Sequence, residues 1–465
     1  MNHICCKTGK NFNPAGALKQ AGFSSLLFVV LVGLSLTVLT VGYMSSMRNL
    51  QSTAVTAHAQ TQAQMQAMIG YQGLTEFLKG QSIENINKIE TGTLTRNAMT
   101  IPFSKVSCGT GQYCFDITGK SGGASAILRS NFLISERLDK KTQTGSVFAG
   151  GLTVGGNSSL TGNGVSIAVK DGIVKNNSGT DISGQLTGIT VEKYTASNFI
   201  KAEDLKDQAN YTFSLDSSGN QVCEKANLYA AGGGVIAKQT FSCSQYNGIT
   251  YSGGAWSIDS SKNLPAGVLW FKEKVVVNLT TTDLINTVIS VGGIESKIPS
   301  GNKGVSYNAY APNAYFIKIP LAVISKICGT SGAIPVQYCK SDGTLKPLDE
   351  LDDSPANIGN ILFLTNGQLA LDSGNLGGKG GAVPNSVNYF GNLIASSGAG
   401  GTGLASAKFV GTGLINIFGN IVITGETDAT ELNGNIKVGL INADATGSSM
   451  PVLVKDFLAK GIRYM

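Results

Sequence analysis

The sequence predicts an α+β protein in which one long N-terminal α-helix precedes a β-rich head containing parallel β-helix, or solenoid, coils. Two observations predict the helix: an uncharged apolar run over Phe23–Tyr43, and the absence of proline between Pro14 and Pro102. The head is predicted from short apolar runs separated by turn residues, in a chain with 60 glycines among 465 residues. This pattern is typical of turn-rich β structure.

The apolar run is long enough to cross a membrane as a helix. Its twenty-one residues carry no charge, and at about 1.5 Å per residue they extend roughly 30 Å, the thickness of a bilayer's hydrocarbon core. Three positively charged residues, Lys7, Lys10 and Lys19, precede the run, whereas a single one, Arg48, follows closely after it. This charge bias predicts a cytoplasmic N-terminus and an exported remainder.

The helical pattern continues beyond the membrane span. Between Arg48 and Glu76 the sequence has no Asp, Glu, Lys or Arg and is rich in Ala, Gln and Met, most of which are good helix formers. One continuous helix over residues 23–80 is therefore predicted. Its outer half is expected to have an apolar stripe with a period of about 3.6 residues, formed by Leu50, Ala54, Ala57, Met65, Met68, Ile69, Phe77 and Leu78.

The N-terminus resembles that of the type IV pilins. A basic leader ends in Gly22, and Phe23 opens the apolar run FSSLLFVVLVGLSLTVLTVGY, which is similar to the site that prepilin peptidase cuts before the apolar run. The resemblance implies a leader of residues 1–22, cleavage between Gly22 and Phe23, and N-methylation of Phe23. A secretory signal peptide differs, because its shorter apolar run is followed by a small-residue cleavage site.

Leu27 departs from the pattern of the major pilins. The fifth mature residue of that family is a glutamate that pairs with the N-terminal amine of a neighbouring subunit, and here this filament-core position is Leu27. Family members that lack the glutamate include PilX-like minor pilins and the K-type pseudopilins of type II secretion systems, the latter at the filament tip. The resemblance therefore implies a tip-associated minor subunit. A plain signal-anchor membrane protein is the alternative.

The resemblance implies a structural and assembly role; no enzymatic activity and no cofactor are predicted. Its partners would be other major and minor pilins, the prepilin peptidase and the inner-membrane assembly platform. The subunit would reside in the inner membrane before assembly and then in a pilus on the cell surface, with its head periplasmic or extracellular. Adhesion, twitching motility and DNA uptake are roles that fit. The alternatives are a type II secretion pseudopilin and a surface-anchored β-helix adhesin or polysaccharide-active enzyme.

The cysteines predict disulfide bonds. Cys5 and Cys6 lie in the leader, and the six others form close sequence pairs; an even set in an exported chain favours disulfides. Local pairing is the simplest arrangement, joining Cys108 with Cys114, Cys223 with Cys243, and Cys328 with Cys339. Zinc ligation is the weaker alternative, because the spacings differ from the usual two to four residues between ligands.

Charge and histidine content argue against several functions. The formal net charge of +6 falls to about +3 when the three lysines of residues 1–22 are removed, which is too small to predict a nucleic-acid site. The histidines are His3, in the leader, and His58, in the long helix, so the head has no histidine base for a catalytic triad. The densest acidic stretch of the sequence contains Asp349, Glu350, Asp352 and Asp353. These residues are the best candidates for a catalytic acid or base, although acidic loops are usually solvated.

A connecting region and a first β-rich region are expected after the helix. Residues 81–144 mix helical and loop patterns, including SIENINKIE and SNFLISERLDKK. Residues 145–264 alternate short apolar runs with Gly, Asn and Ser turns, as strands do. The acidic turn at Asp216 offers oxygen ligands for calcium, but it lacks the distal Glu of an EF-hand, so a plain turn is favoured and no metal site is predicted.

Residues 265–465 are predicted to be solenoid-like. Gly-Asn-apolar units begin at Gly359, Gly391, Gly419 and Gly434, at spacings of 32, 28 and 15 residues. Such units are typical of solenoid coils, each of which buries its apolar face only by stacking on the next, and with the phrase GVLWF they resemble β-helical or bactofilin-like coils. An irregular antiparallel β-sandwich is the alternative. The tail SSMPVLVKDFLAKGIRYM is expected to form a short capping helix with Pro451 in its first turn.

Overall fold

A computed structural model describes residues 21–79, 81, 83–96, 99–109, 111–141, 145–195, 199–298, 304–319, 323–374, 386–396, 405–411, 413–441 and 447–465. The chain forms two compact units. Unit 1 extends to Ser135 and resumes over Phe457–Met465, and unit 2 is Glu136–Asp456. In sequence, unit 2 is therefore an insertion into unit 1. The boundaries that the sequence suggested, at residues 80, 144 and 264, do not coincide with this division.

The described residues form four α-helices and thirty-two β-strands, together with short 3-10 helices. The helices are α1 (Ala21–Lys79), α2 (Ile83–Lys88), α3 (Pro312–Lys318) and α4 (Ile324–Cys328). The first strands are β1 (Thr91–Arg96), β2 (Met99–Val106), β3 (Gln112–Ser121), β4 (Ala124–Lys141), β5 (Ser146–Phe148), β6 (Leu152–Val154), β7 (Ser159–Thr161), β8 (Val165–Val169), β9 (Val174–Asn176) and β10 (Ile189–Lys193). They are followed by β11 (Tyr211–Leu215), β12 (Gln221–Lys225), β13 (Leu228–Tyr229), β14 (Gln239–Phe241), β15 (Ile249–Ser252), β16 (Ala255–Asp259), β17 (Gly267–Phe271), β18 (Val275–Asn278), β19 (Leu284–Ser290), β20 (Ile294–Lys297) and β21 (Ser306–Tyr310). The last are β22 (Ile334–Pro335), β23 (Ile361–Thr365), β24 (Leu369–Asp372), β25 (Ser386–Phe390), β26 (Asn392–Ala395), β27 (Ala407–Val410), β28 (Leu414–Phe418), β29 (Ile421–Ile423), β30 (Thr430–Leu432), β31 (Ile436–Gly439) and β32 (Met450–Tyr464).

The predicted long N-terminal helix is confirmed. α1 is one helix of 59 residues, which at 1.5 Å per residue extends about 88 Å. Its interior has no proline, and the uncharged Ala, Gln and Met residues of its second half favour helix. Lys79 in its last turn adds a favourable charge near the helix C-terminus.

The second half of α1 packs against an antiparallel sheet in unit 1. The strand order of this sheet is β1-β2-β3-β4-β32, and α1 lies on β3. A Cβ atom on Gly119 of β3 would lie 2.0 Å from the carbonyl oxygen of Ala63 and 2.6 Å from the nitrogen of Ala67. The two backbones are therefore so close that only glycine fits at this position of the strand.

The apolar stripe predicted for this half of α1 is wrong in its register. Leu50, Ala54, Ala57, Met65 and Phe77 are exposed, Met68 and Ile69 are partly buried, and only Leu78 is fully buried. The buried face instead consists of Ala59, Ala63, Ala67, Gly70, Leu74 and Leu78. Because the sheet approaches the helix backbone closely, small size rather than hydrophobicity selects the buried positions next to β3.

The C-terminal tail forms a strand, so the expected capping helix is wrong. β32 lies beside β4 at the edge of the sheet. The Phe457 and Phe132 rings are 5.1 Å apart, and the Met465 N–H donates to the Ile127 carbonyl at 2.9 Å. A sheet edge has unpaired backbone groups that an added strand can satisfy and a helix cannot. The stretch SNFLISERLDKK also lies in a strand, β4, although its pattern suggested helix.

Unit 2 contains a parallel β-solenoid with three columns of strands, as the predicted fold class required. The first column is β17-β19-β23-β26-β29-β5-β8-β10, the second is β16-β18-β20-β24-β27-β30-β6-β9, and the third is β21-β25-β28-β31-β7. Neighbours within each column are parallel. Antiparallel pairs occur where β12 joins β11 and where β15 joins β16. The antiparallel sandwich alternative is therefore wrong for this region.

From β17 to β5 the first column is buried on both faces, which explains the largely apolar sequences of these strands. Val288 and Leu393 belong to the core inside the solenoid, whereas their chain neighbours Ile289 and Ile394 belong to a second core on the opposite face. Parallel strands covered on both faces typically have such continuous apolar runs. Strands of the other columns, such as β24 and β25, alternate between buried and partly exposed residues.

The order of coils in space differs from their order in sequence. β5, β6 and β7 come first in the chain of unit 2, but they stack on β29, β30 and β31, which come last. Val147 pairs with Val422, and Leu160 pairs with Val438. The two β-rich stretches that the sequence separated at residue 264 therefore build one stack.

Three of the four Gly-Asn units are equivalent in the solenoid. Gly359, Gly391 and Gly419 lie just before the first-column strands β23, β26 and β29. A Cβ on Gly419 would lie 2.1 Å from the Gly391 carbonyl oxygen, so adjacent coils are in backbone contact there. Gly434 instead precedes β31 of the third column, where its own neighbour is Gly411.

Replacing Gly119 by alanine is expected to destabilise unit 1. The added Cβ would meet backbone atoms of Ala63 and Ala67, a clash that no side-chain rotation relieves, so α1 and β3 must separate at a cost of about 1–3 kcal/mol. Thermal unfolding of the full-length protein in detergent, followed by far-ultraviolet circular dichroism, should give a lower midpoint. Gly109→Ala is the matched control, because the nearest atoms to a Cβ there are 3.6 Å away. Equal midpoints for the two variants would contradict the close approach.

Candidate functional site

The first half of α1 presents a continuous apolar surface. No Asp, Glu, Lys or Arg occurs from Ala21 to Met47, and the helix Ser25–Lys79 is long and apolar enough to cross a membrane. Its large apolar side chains are exposed, namely Leu26, Leu27, Phe28, Val29, Val30, Leu31, Val32, Leu34, Leu36, Val38, Leu39, Val41, Tyr43, Met44 and Met47. Burying apolar surface is favourable by about 25 cal/mol per Å². This half of the helix is therefore suited to lipid or to other apolar helices.

Three hydroxyl groups of this segment form hydrogen bonds within the helix. The Ser35 hydroxyl donates to the Leu31 carbonyl at 2.7 Å, and the Thr37 and Thr40 hydroxyls donate to the carbonyls four residues before them. Polar groups that bond inside the helix need no water. These three hydroxyls can therefore leave water without losing a hydrogen-bond partner.

The residues that carry the family resemblance lie at the start of this helix. Gly22 and Phe23 belong to the first turn of α1, while residues 1–20, including the leader cysteines, lie outside the described residues. Leu27 is 59% exposed and belongs to the apolar surface. Cleavage at Gly22–Phe23 and the filament-core role of Leu27 stay predictions.

Polar side chains of the second half of α1 bind the sheet. Gln62 Oε1 accepts a hydrogen bond from the Ser121 hydroxyl at 2.7 Å, and Gln66 Oε1 accepts one from the Lys120 N–H at 3.1 Å. His58 is exposed, and its Nε2 lies 3.0 Å from Gln62 Nε2. The uncharged face of the helix thus holds the end of β3, and His58 is a helix-surface residue beside it.

The acidic stretch at residues 349–353 has a structural role at Asp352. Its Oδ1 accepts hydrogen bonds from Asn360 Nδ2 at 2.8 Å, from the Ser449 hydroxyl at 2.7 Å and from the Gly447 N–H at 3.1 Å. This carboxylate fastens the segment 447–449 to the Gly-Asn corner of the solenoid. Asp349 and Glu350 lie in an exposed 3-10 turn. The described residues contain no group of three or more His, Cys, Asp or Glu that could hold a metal ion.

The carboxylate of Asp216 closes its own turn. Oδ1 accepts the N–H groups of Ser218 and Asn220, each at 2.8 Å, and Oδ2 accepts the Asn220 side-chain amide at 3.1 Å. The hydrogen bonds from Asn220 hold the pKa of Asp216 below its usual value. The carboxylate oxygens are occupied by the turn itself, as in an ordinary Asx turn.

Two disulfide bonds are present in unit 2. They join Cys223 to Cys243 and Cys328 to Cys339, which are sequence-neighbour pairs. Cys108 and Cys114 are free thiols, so the third expected bridge is absent from the structure.

The two free thiols lie in different surroundings. Cys114 is paired with Val106 in the β2–β3 ladder and is buried, whereas Cys108 lies beyond the end of β2 and is exposed. Burial and the adjacent Cys108 raise the pKa of the Cys114 thiol to about 12. Because the thiolate is the reactive form, Cys114 is protected from reaction in the folded protein.

Comparisons with known proteins add little to this geometry. No protein-family model matches the chain, and no curated protein matches it either. Among solved structures, the competence-associated pilin ComZ from Thermus thermophilus aligns with 88% of this chain and 98% of its own length, at 10% sequence identity and a TM-score of 0.19. A TM-score that low does not establish a common fold, so the conclusions below rest on this chain's own residues.

Thiol labelling should separate the two free cysteines. In the folded protein, N-ethylmaleimide is expected to modify exposed Cys108 quickly and buried Cys114 only after unfolding, because modification requires access and a thiolate. Peptide mass spectrometry before and after denaturation measures both sites, and the disulfide-bonded Cys223 is the internal control. A peptide containing a Cys108–Cys114 bond in the unreduced protein would contradict this arrangement.

Proposed function

We propose that this chain is a minor type IV pilin, a tip-associated structural and assembly subunit. In this proposal the leader of residues 1–22 is removed by a prepilin peptidase, and the mature chain begins at Phe23. The first half of α1 holds the subunit in the inner membrane before assembly. It then packs among the helices of other major and minor pilins, so that lipid contacts are exchanged for protein contacts.

The observation that carries the proposal is the division of α1 into two halves. The first half is uncharged, apolar and exposed, whereas the second half is fixed to the sheet of unit 1 through Ala63, Ala67 and Gly119. A simple membrane anchor needs only about 20 residues of helix. The first half of α1 is long and apolar enough to span a membrane, and the second half packs inside a folded unit. This arrangement supports insertion of the first half into a bundle of like helices.

Leu27 supports a minor position rather than a major one. Packed into an apolar bundle, an unpaired carboxylate would be costly, whereas leucine is not. A subunit with Leu27 in place of the glutamate has no charge with which to neutralise the amine of a neighbour. Such a subunit fits a site where that pairing is not needed, as at the tip. The insertion of residues 136–456 would then be displayed as a head with a role in adhesion, motility or DNA uptake.

The proposal includes no catalytic activity. Asp352 is committed to hydrogen bonds with Asn360, Gly447 and Ser449, so using it as a general base would release the segment 447–449. His58 belongs to α1 in unit 1 and is distant in sequence from the acidic stretch. These observations support a recognition or assembly role over a polysaccharide-active enzyme.

Processing at Gly22 tests the first step. The mature protein is expected to begin with N-methyl-phenylalanine at residue 23, and Gly22→Val should leave the leader attached, because a branched side chain would obstruct the peptidase at the cleavage position. Mass spectrometry of the N-terminal peptide measures both outcomes. Gly33→Val, further along α1 where a Cβ would meet no atom within 4 Å, is the control and should be processed normally. A mature chain that starts at Met1 or after Tyr43 would refute the proposal.

Filament association tests the second step. The protein is expected in sheared filaments at low copy number relative to the major pilin, measured by quantitative mass spectrometry. Replacing Val30 and Leu34 by lysine should abolish its incorporation, because two charges would enter the exposed apolar surface. Replacing exposed Val235 of unit 2 by lysine is the control. Recovery with a type II secretion complex instead of filaments would favour the pseudopilin alternative.

A further inference from the structure

Three aromatic rings form a stack on the outer face of the third column of unit 2. Tyr310, Phe390 and Phe418 are register partners on β21, β25 and β28. Their ring centroids are 4.6 and 4.8 Å apart, and the planes differ by only 7° and 9°. The rings therefore lie face to face along the solenoid axis, one per coil.

The stack ends at a glycine. The next register partner of Phe418 is Gly439 on β31, and the partner of Gly439 is Thr161 on β7. A Cβ on Gly439 would lie 3.5 Å from Cδ1 of Phe418, so a side chain at that position would pack against the ring. Phe390 covers one face of Phe418, while Gly439 contributes no side chain on the other side, and Phe418 is 40% exposed. We call the space between Phe418 and Thr161 the Gly439 slot.

A row of asparagine side chains runs beside the aromatic stack. Asn308, Asn388 and Asn416 precede the three rings by two residues, so they lie on the same side of the sheet, about 6.7 Å away along each strand. Asn416 Nδ2 donates to Asn388 Oδ1 at 2.6 Å, and Asn388 Nδ2 donates to Asn308 Oδ1 at 2.9 Å. The row thus places amide groups next to the slot, where hydroxyl groups of a ligand could bond to them.

Among the described residues, two lysines lie near the slot. Lys318 Nζ lies 5.7 Å from the Phe390 centroid and 6.0 Å from the Phe418 centroid. Lys437, the register partner of Asn416, is exposed. The carboxylate of Asp283 is bonded to Asn308 at the opposite end of the row. An anionic group is therefore favoured at the Phe418 end.

We propose that the Gly439 slot binds a pyranose ring of an acidic, uronate-bearing glycan. The C–H groups on one face of a pyranose carry partial positive charge and would meet the negative face of the Phe418 ring. Its hydroxyl groups would bond to the Asn416 amide, and its carboxylate would lie near Lys318 and Lys437. A nucleic acid is less suited, because such binding depends on many cation–phosphate contacts and the face offers these two lysines. The site goes beyond the proposed function, since it involves only unit 2 and needs no filament.

Calorimetric titration of the full-length protein tests this site. The protein is kept in a zwitterionic detergent without a sugar headgroup, and the probes are hexagalacturonate and its fully methyl-esterified form. Hexagalacturonate is expected to bind, and the ester to bind more weakly because it lacks the carboxylates. Phe418→Ala removes the ring face, and Gly439→Phe fills the slot with a fourth ring. Each should weaken binding about tenfold, the change given by loss of one contact of about 1.4 kcal/mol.

Controls separate loss of the site from loss of the fold. Val235→Ala truncates another exposed apolar residue of unit 2 and should bind like the unchanged protein. Circular dichroism should give equal spectra for all variants. Absence of hexagalacturonate binding, or binding that is the same for Phe418→Ala and Gly439→Phe as for Val235→Ala, would overturn the proposal. Tighter binding of a twelve-nucleotide thymidine strand, lost in the same variants, would overturn it in favour of nucleic acid. None of these results depends on leader cleavage or filament incorporation.

Discussion

The stacking of parallel coils is the constraint on which unit 2 depends. A coil of three short strands cannot pair its backbone or bury its apolar face alone, so each coil needs a neighbour on both sides or a cap. The first coil of the chain fills this need for the last one: Ser146 Oγ accepts the Ile421 N–H at 2.9 Å across a sequence separation of 275 residues. Because of this pairing, the facing edges of β5 and β29 are both covered.

Backbone contact is the second recurring constraint, and glycine meets it in both units. In unit 1, Gly119 allows β3 to touch the backbone of α1, and in unit 2, Gly419 allows one coil to touch the coil of Gly391. The contact in unit 1 fixes α1 to its sheet through small residues. The contact in unit 2 also aligns buried asparagines at the Gly-Asn corner. Asn420 Nδ2 and Asn392 Nδ2 both donate to the Ser448 carbonyl, at 3.2 and 3.1 Å.

The sequence predicted the elements whose pattern is local. The uninterrupted helix follows from residues 23–80 alone, and the apolar runs of β17, β23 and β29 follow from burial of these strands on both faces. The Gly-Asn units indicated coils because the same short turn followed by an apolar strand recurs along the sequence. Other features depend on distant parts of the chain. The buried face of α1 is set by Gly119, more than fifty residues after Ala63, and the strand conformation of residues 450–464 is set by the free edge of β4.

The candidate sites divide in the same way between local and distant signals. Phe23 and Leu27 are candidates that the sequence alone marks, through the apolar run to which they belong, and their roles stay predictions. The Gly439 slot is not marked in this way, since Tyr310, Phe390, Phe418 and Gly439 become neighbours only through the register of four coils. Asp352 looked like a candidate acid in a dense acidic loop, yet its bonds to Gly447 and Ser449 could be known only after folding. In a solenoid, the residues of a surface site therefore come from successive coils, one residue from each coil. A cluster of residues within one loop of the sequence is a poor guide to such a site.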